Sequence, residues 1–128
     1  MKPLHVIRQP GTWAVAQLPA RVPVPAWAWG HEFGSVTHTC DGISIICPAA
    51  AVPAAVQAER GWALFMVMGP FDFLEVGVLA SLATPLASAG VPILALGTYR
   101  TDYFLVKLAD VPAAAAALRG AGHRCDCS

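Results

Sequence analysis

The sequence carries little charge. Lys and Arg together number 8, as do Asp and Glu, so the formal net charge is zero. Proteins that bind nucleic acid need a basic excess to attract phosphate groups, and its absence excludes that class of partner. Apolar residues make up 56% of the chain, which is high for a soluble domain. We therefore expect part of the surface to be covered, either by another copy of the chain or by a membrane.

The sequence also lacks an unbroken apolar run of membrane-spanning length. Residues 76–99 carry no charge, but Pro85, Gly90, Pro92 and Gly97 interrupt them. The tetrapeptide "AGVP" within this stretch is typical of a helix end followed by a turn. The first residues, "MKPLHVIRQPG", contain no apolar segment of the kind found in signal peptides. These observations predict no membrane span and a cytoplasmic location.

Motifs for catalysis and for cofactor binding are missing as well. The sequence contains no C-x₂-C pair, no nucleophile elbow and no glycine loop for phosphates or dinucleotides. Its four histidines are scattered, with no serine or cysteine placed beside one to suggest an activated nucleophile. We therefore expect no enzymatic activity, no cofactor and no metal.

The four cysteines are Cys40, Cys47, Cys125 and Cys127. In a reducing compartment they should be thiols, and the short loop between the last two disfavours a disulfide. Two alternatives remain open. One is a zinc site built from His38, Cys40 and Cys47, or from His123 with the last two cysteines, and the other is a redox pair.

Two stretches of the sequence follow the same order of features. Thr37, Asp41 and Val52-Pro53 in the first correspond to Thr98, Asp102 and Val111-Pro112 in the second. Each stretch indicates a hairpin, an apolar strand and an Ala-rich helix that begins through Val-Pro. Four features in one order predict an internal duplication, with an N-terminal unit at 1–60 and a C-terminal unit at 61–128.

The C-terminal unit has the more regular pattern. Residues 62–68, "WALFMVM", are apolar on both faces, as in a fully buried strand. A helix is predicted over 73–89, with Asp72 as N-cap, Glu75 completing a capping box and a bend at Pro85. Two strands and a second helix follow, with Asp110 as its N-cap and Gly120 or Gly122 at its end. The tail "HRCDCS" is the stub of a final strand.

The N-terminal unit keeps the strands and loses the long helix. "LHVIR", "TWAVAQL", "FGSVTHT" and "GISIICP" are predicted strands, the last two joined by a hairpin through Asp41-Gly42. "RVPVPAWAWG" allows at most one helical turn, and "AAVPAAVQA" indicates a short helix. The predicted fold class is therefore α+β, ferredoxin-like βαββαβ, with two units in tandem and a degraded long helix in the first.

A polar cluster, "GTYRTDY" at 97–103, separates two apolar strands of the C-terminal unit. The simplest interpretation is a hairpin turn, which needs polar residues. A turn alone does not require Tyr99 and Tyr103 on both sides of it. The alternative is a binding edge on which a strand end meets a ligand or another copy of the fold.

This part of the sequence resembles the ACT domain. "TPLASAG", an apolar strand and then "GTYRTDYFLV" are similar to the signature of the branch that contains small bacterial tandem ACT proteins and the cytosolic arginine sensors of animals. "ERGW", "GPFDF" and "FGSVTHTCDGISIICP" also fit the bacterial members. The resemblance covers nearly the whole chain. Gly97 departs from the usual Ser, and the tail "RCDCS" has no counterpart.

The resemblance implies a regulatory protein that binds a small molecule, usually an amino acid, at an interface between ACT units. It also implies a homodimer or larger homo-oligomer, and an unidentified protein partner to receive any signal. Carried over, the ligand-binding residues are Asp72, Phe73, Leu74, Gly77 and Val78 at the start of the long helix, Val91, Pro92 and Ile93 at the start of the next strand, and Thr98, Tyr99, Thr101 and Asp102 at its end.

The chemistry of an amino acid fits this placement. N–H groups at a helix start suit a carboxylate, and an aspartate suits an ammonium group. If Asp72 caps the helix it competes with the ligand carboxylate, so Asp102, Thr98 and Tyr99 are the stronger candidates. The alternative function is a scaffold or dimerisation module whose pocket has decayed, which the degraded N-terminal unit and Gly97 favour.

Overall fold

The computed structural model describes residues 3–68 and 76–127. Two compact units make up the chain. We call residues 11–62 the contiguous unit, and residues 1–10 with 63–128 the split unit. The elements in chain order are β1 (His5–Arg8), β2 (Trp13–Leu18), β3 (Ser35–Thr39), β4 (Gly42–Pro48), β5 (Ala58–Val67), α1 (Val78–Ser88), β6 (Leu94–Gly97), β7 (Asp102–Lys107), α2 (Val111–Gly120) and β8 (Arg124–Asp126). Single 3₁₀ turns occupy Ala26–Ala28, Ala49–Ala51 and Leu108–Asp110.

The contiguous unit is a small antiparallel sheet in the order β3-β4-β2-β5. The predicted hairpin between these strands is present, but its two loop residues are Cys40 and Asp41 and not Asp41 and Gly42, since Thr39 pairs with Gly42, the first residue of β4. The pairing of β2 with β5 shifts register opposite Gly61, whose φ is +88°, as in a β-bulge. Alternate side chains of β2 and β4 form the buried face.

The short helix predicted at "AAVPAAVQA" is wrong. Residues 11–62 contain no α-helix, and this stretch has one 3₁₀ turn before β5 begins at Ala58. The Arg60 guanidinium donates to the carbonyl oxygens of Val52, Pro53 and Val56 at 3.0–3.4 Å. These bonds satisfy the carbonyls without a helical ladder, and Pro53 has no N–H to contribute to one.

The split unit has the order β6-β7-β5-β1-β8, with α1 and α2 packed into the same core as the sheet. Strand β1 lies between β5, to which it is antiparallel, and β8, to which it is parallel. Residues 63–65 and Val67 of the predicted buried strand "WALFMVM" are buried, whereas Trp62 and Met66 are partly buried and Met68 is exposed. Phe65 stacks on Phe104 with ring centroids 5.0 Å apart. The α+β, ferredoxin-like fold is thereby confirmed.

Both helices end in the same motif. Gly90, with φ +74°, follows α1, and the N–H of Val91 donates to the Leu86 carbonyl at 2.9 Å. Gly122, with φ +93°, follows α2, and the N–H of His123 donates to the Leu118 carbonyl at 3.0 Å. These are Schellman motifs, in which glycine supplies the left-handed residue. They confirm the predicted stop at "AGVP".

The helix α1 continues through Pro85, and a buried histidine bonds the carbonyl group that the proline leaves without a donor. Pro85 has no N–H, so the Ser81 carbonyl receives no bond from within α1. Nε2 of His123 lies 2.9 Å from that carbonyl oxygen, while Nδ1 accepts the N–H of Leu4 at 3.0 Å. These partners require the neutral tautomer with hydrogen on Nε2. His123, only 7% exposed, thus links α1, the chain before β1 and the chain before β8.

Cys125 and Cys127 form a disulfide, which corrects the expectation of thiols at these positions. Their Cα atoms are 5.6 Å apart, within the range that a disulfide bridges. Cys40 and Cys47 are free thiols, as expected, the first exposed and the second buried. Among residues 3–68 and 76–127, no three His, Cys, Asp or Glu side chains are grouped as they would be around a metal ion.

An exposed side-chain hydrogen bond joins the two parallel strands. His5 Nε2 lies 2.7 Å from Asp126 Oδ2, and this hydrogen bond, with a smaller contribution from Arg124, holds the pKa of Asp126 below its ordinary value. A depressed carboxyl pKa stabilises the fold above the unfolded-state pKa, and that contribution is lost as pH falls through the folded value.

We therefore expect Asp126→Asn to lower the free energy of unfolding at pH 7 by a small amount. The substitution should have no effect at a pH low enough for the Asp126 carboxyl group to be protonated in both the folded and the unfolded state. Urea unfolding of the parent and the variant at pH 7 and at about pH 2 measures this difference. His5→Ala, which removes the hydrogen bond that is the largest cause of the shift, should raise the pKa of Asp126 in an NMR titration. An equal loss of stability at both pH values would contradict the assignment.

No helix in the described part of the chain has the length and apolar character needed to cross a bilayer. The longest, α1, has 11 residues, whereas a helical span needs roughly 20.

Candidate ligand-binding site

The polar cluster at 97–103 closes the hairpin between β6 and β7. The Thr98 N–H donates to the Thr101 carbonyl at 2.9 Å, and the Thr98 hydroxyl donates to the same oxygen at 2.7 Å. The Thr101 N–H in turn donates to the Thr98 hydroxyl at 3.2 Å, and the Thr101 hydroxyl donates to the Val67 carbonyl. The interpretation as a turn is therefore correct for both threonines, whose hydroxyl groups are used within the protein.

Tyr99 and Asp102 have different positions in this hairpin. Tyr99, at the tip, is 82% exposed. Asp102 is the first residue of β7, pairs with Gly97 and is partly buried. Its Oδ1 would lie 3.4 Å from a Cβ built on Gly97. The carboxylate therefore sits over the backbone of β6, at the point where the resembling family has Ser in place of Gly97.

The start of α1 differs from the prediction. The helix begins at Val78, and its N-cap is Gly77 with φ +82° and ψ 0°, so the predicted start at 73 with Asp72 as N-cap is wrong. A left-handed residue cannot continue a helix toward its N-terminus, and this position favours glycine. Gly77 has no side chain to cap the first N–H groups, and the first turn contains no acidic residue. Val78 is buried.

Three predicted residues lead from α1 into β6. Val91 is buried in the core of the split unit, Pro92 is exposed and Ile93 is partly buried against that core. Val91 is therefore a core residue, and its N–H is used in the motif that ends α1. The predicted residues Asp72, Phe73 and Leu74 lie outside the described residues.

An open hollow lies between the start of α1 and the β6–β7 hairpin. It is lined by Leu79, Ala95, Leu96, Gly97 and Asp102, and its volume is about 90 Å³. We call it the edge hollow. It places the predicted Asp102 within one hollow with the first turn of α1. The four other lining residues were missed by the sequence analysis. Leu79 was the most predictable of them, because it directly follows the predicted site residues Gly77 and Val78 along the chain.

The edge hollow is apolar apart from one acidic group. Leu79 and Leu94, on neighbouring elements, are both exposed. Within residues 3–68 and 76–127, the Asp102 carboxylate takes part in no salt bridge. Strand β6 pairs only with β7 among the described strands, so its other side is a sheet edge. The arrangement offers an ammonium partner, apolar walls and edge backbone groups.

A second hollow, of about 220 Å³, lies on the contiguous unit. Its lining residues are Val15, Ala16, Gln17, Gln57, Ala58 and Glu59. It is larger than the edge hollow but contains no predicted site residue and no helix start. We therefore place the candidate site at the edge hollow.

Comparison with protein families supports the resemblance seen in the sequence. The model of the ACT domain matches residues 57–120, which is half of the chain. The chain therefore belongs to the ACT-domain family. A second family model, which describes an N-terminal domain, matches residues 11–55. A search of curated proteins found no match.

Several solved structures are similar. A protein from Agobacterium tumefaciens is 34% identical with a TM-score of 0.92, over 98% of this chain and 93% of that one. A Vibrio cholerae protein of unknown function has a TM-score of 0.71 at 16% identity, over 92% of this chain and 89% of that one. The regulatory subunit of aspartate kinase from Thermus flavus has a TM-score of 0.63 at 11% identity, over 91% of this chain and 96% of that one. The last two show a common fold.

Proposed function

We propose that this chain is a non-enzymatic regulatory protein of the ACT type that binds an amino acid at the edge hollow. The observation that carries the proposal is the position of Asp102, whose carboxylate lines a hollow together with Leu79 in the first turn of α1. A zwitterion needs a partner for each of its two charges. Asp102 suits the ammonium group, and the N–H groups that follow Gly77 suit the carboxylate.

The corrected start of α1 strengthens this proposal. Because Gly77 rather than Asp72 is the N-cap, no acidic side chain occupies the N-cap position and competes with a ligand carboxylate there. The turn hydrogen bonds of Thr98 and Thr101 reduce the role of their side chains. We keep Gly77, Val78, Pro92, Ile93, Tyr99 and Asp102 as ligand contacts, Val91 and Thr98 as contacts through their carbonyl groups, and Asp72, Phe73, Leu74 and Thr101 as expectations from the family.

The size of the edge hollow supports a ligand bound between units. Ligand pockets are usually roughly 300–1,000 Å³ and enclose most of their ligand. The edge hollow is smaller and open, so a second surface is needed to enclose an amino acid. The exposed edge of β6 and the exposed Leu79 and Leu94 provide a surface on which another copy can dock. We therefore propose a homodimer or larger homo-oligomer.

Further parts of the prediction also remain proposals. These are the duplication of units 1–60 and 61–128, the relation to the bacterial tandem proteins and animal arginine sensors, and an unidentified protein partner. The free, exposed thiol of Cys40 is in keeping with the proposed cytoplasmic location. We propose that regulation acts through assembly or through that partner, by unequal ligand affinity for two states.

Isothermal titration of the full chain with each of the twenty amino acids tests the function. We expect saturable heat for at least one amino acid and none for most others. Silence across the panel from a protein that is still dimeric by light scattering would reject amino-acid binding.

Asp102→Ala should weaken binding of an amino acid found in this way by roughly 1–3 kcal/mol, the loss of a charge-assisted hydrogen bond, which is about 5- to 150-fold in Kd. Asp41→Ala is the matched control, because Asp41 corresponds to Asp102 in the proposed duplication but lies in the contiguous unit. Unchanged affinity in Asp102→Ala would remove this residue from the site.

The second candidate is a scaffold or dimerisation module without a ligand. The turn hydrogen bonds of Thr98 and Thr101, together with Gly97 in place of the family's usual Ser, favour it. It predicts a stable oligomer that is insensitive to every amino acid. Gly97→Ser would then change neither assembly nor binding, whereas a functional site should respond to a hydroxyl placed beside Asp102.

A further inference from the structure

The split unit also contains a pair of cysteines at its last strand, Cys125 within β8 and Cys127 directly after it. Alternate residues of an extended chain point to the same face, so the two side chains are neighbours. Both lie in the core cluster of the split unit, at 5% and 9% exposure. The structure joins them in a disulfide, in a chain whose two other cysteines are free.

We propose that Cys125 and Cys127 are a reversible redox site, which exchanges between dithiol and disulfide with small-molecule thiols and disulfides of the glutathione class. The disulfide closes a loop with one residue between the cysteines. A loop this short restricts the unfolded chain very little, so structural stabilisation does not account for the bond.

The backbone around the pair keeps the two sulfur atoms together in either redox state. Val6 and Ile7 of β1 pair with Cys125 and Asp126, and the Arg124 N–H donates to the Leu4 carbonyl at 2.9 Å. The Arg119 guanidinium donates to the Cys125 carbonyl at 2.8 Å. A dithiol held in this way has a high effective concentration, which favours closure of the disulfide after one sulfur has reacted.

Access to the pair comes from the position of β8. The strand has three residues and pairs only with β1 among the described strands, so it is an edge that can open locally. Cys127 is the more exposed residue of the two and lies beyond the paired residues of β8, so it is the expected point of attack. Cys47, by contrast, is buried and its pKa is raised by burial, so it should react slowly.

Oxidation of the cysteine pair consumes one oxidised glutathione and releases two molecules of reduced glutathione. In the oxidising direction the Cys127 thiolate attacks oxidised glutathione, forms a mixed disulfide and releases one glutathione thiolate. The Cys125 thiolate then attacks the Cys127 sulfur, closes the internal disulfide and releases the second. The two protein thiols have lost two electrons and two protons, and one oxidised glutathione has become two reduced molecules.

Thiol counting on the full chain tests the proposal. The protein is equilibrated in glutathione buffers of varied redox ratio, quenched with acid, unfolded and alkylated, and the adducts are counted by intact mass. We expect four alkylated thiols under reducing conditions and two under oxidising conditions, in one reversible transition. Peptide mapping should place the lost pair at Cys125 and Cys127.

Single variants provide the second measurement. Cys125→Ser and Cys127→Ser should each retain a glutathione adduct that the parent does not accumulate, because the parent resolves it with the partner sulfur. Cys40→Ser is the control and should still lose two thiols. Four thiols at every redox ratio, a disulfide that persists in excess reduced glutathione, or lost thiols that map to Cys40 and Cys47 would each overturn the proposal.

Discussion

Replacing His123 with alanine is expected to lower the free energy of unfolding by about 3–5 kcal/mol. The imidazole bonds two buried backbone groups, the Leu4 N–H and the Ser81 carbonyl, and its removal leaves both without a partner. Each orphaned group costs about 1–3 kcal/mol, and the vacated volume adds to the loss. Urea unfolding monitored by circular dichroism measures the change. The dependence of the unfolding free energy on urea concentration should be the same in both proteins, which excludes a change in the unfolded state.

A substitution at Pro85 measures how much of the loss in His123→Ala comes from the Ser81 carbonyl. Pro85→Ala restores an N–H that can donate to the Ser81 carbonyl within α1, so this carbonyl no longer depends on His123. His123→Ala should therefore cost about 1–2 kcal/mol less in the Pro85→Ala background than in the parent. His123→Asn retains an acceptor for the Leu4 N–H and should recover part of the loss. Strict additivity of the two substitutions would contradict the link between the proline and the histidine.

The second large effect is expected at Gly42, in the contiguous unit. Its φ is +149°, and an added Cβ would lie 2.7 Å from the Leu18 backbone carbonyl oxygen. The same Cβ would also meet the side-chain nitrogen Nε2 of Gln17. Gly42→Ala should therefore cost about 3 kcal/mol, from an unfavourable backbone conformation and from a clash with backbone that cannot move away. Tryptophan fluorescence during urea unfolding reports on this unit.

Gly30→Ala is the matched control for Gly42→Ala. Gly30 also has positive φ, +87°, but a Cβ there meets nothing within 4 Å. Its substitution should show the conformational cost alone, about 1–2 kcal/mol. Equal losses in the two variants would mean that the β2–β4 pairing beside Leu18 adapts to the new methyl group.

Local patterns predicted the strands and the helix ends well. The hairpin between β3 and β4 and the glycine stop after α1 both depend on residues close in sequence, although the hairpin loop is Cys40-Asp41, one residue before the predicted Asp41-Gly42. The start of α1 was wrong because a well-formed capping pattern at Asp72 outweighed Gly77, whose left-handed conformation starts the helix later. The short helix after Val52 was wrong because Arg60 satisfies those carbonyls from a neighbouring strand.

The candidate site was predictable in outline only. Family resemblance located the helix start and the strand end, and the edge hollow brings Asp102 together with the first turn of α1. The sequence did not reveal that Thr98 and Thr101 bond each other across the turn, because that pairing depends on the hairpin having four loop residues. It also did not reveal the role of His123, whose partners are 42 and 119 positions away along the chain.

The place of β1 between β5 and β8 has a consequence for synthesis on the ribosome. The contiguous unit is complete once residue 62 has emerged, and it can fold while translation continues. Strand β1 can pair with β5 once residue 67 has emerged, but its other edge stays unpaired until β8 is released near the end of elongation. Slow translation or early termination would therefore expose β1 to the wrong partners and leave the contiguous unit unharmed.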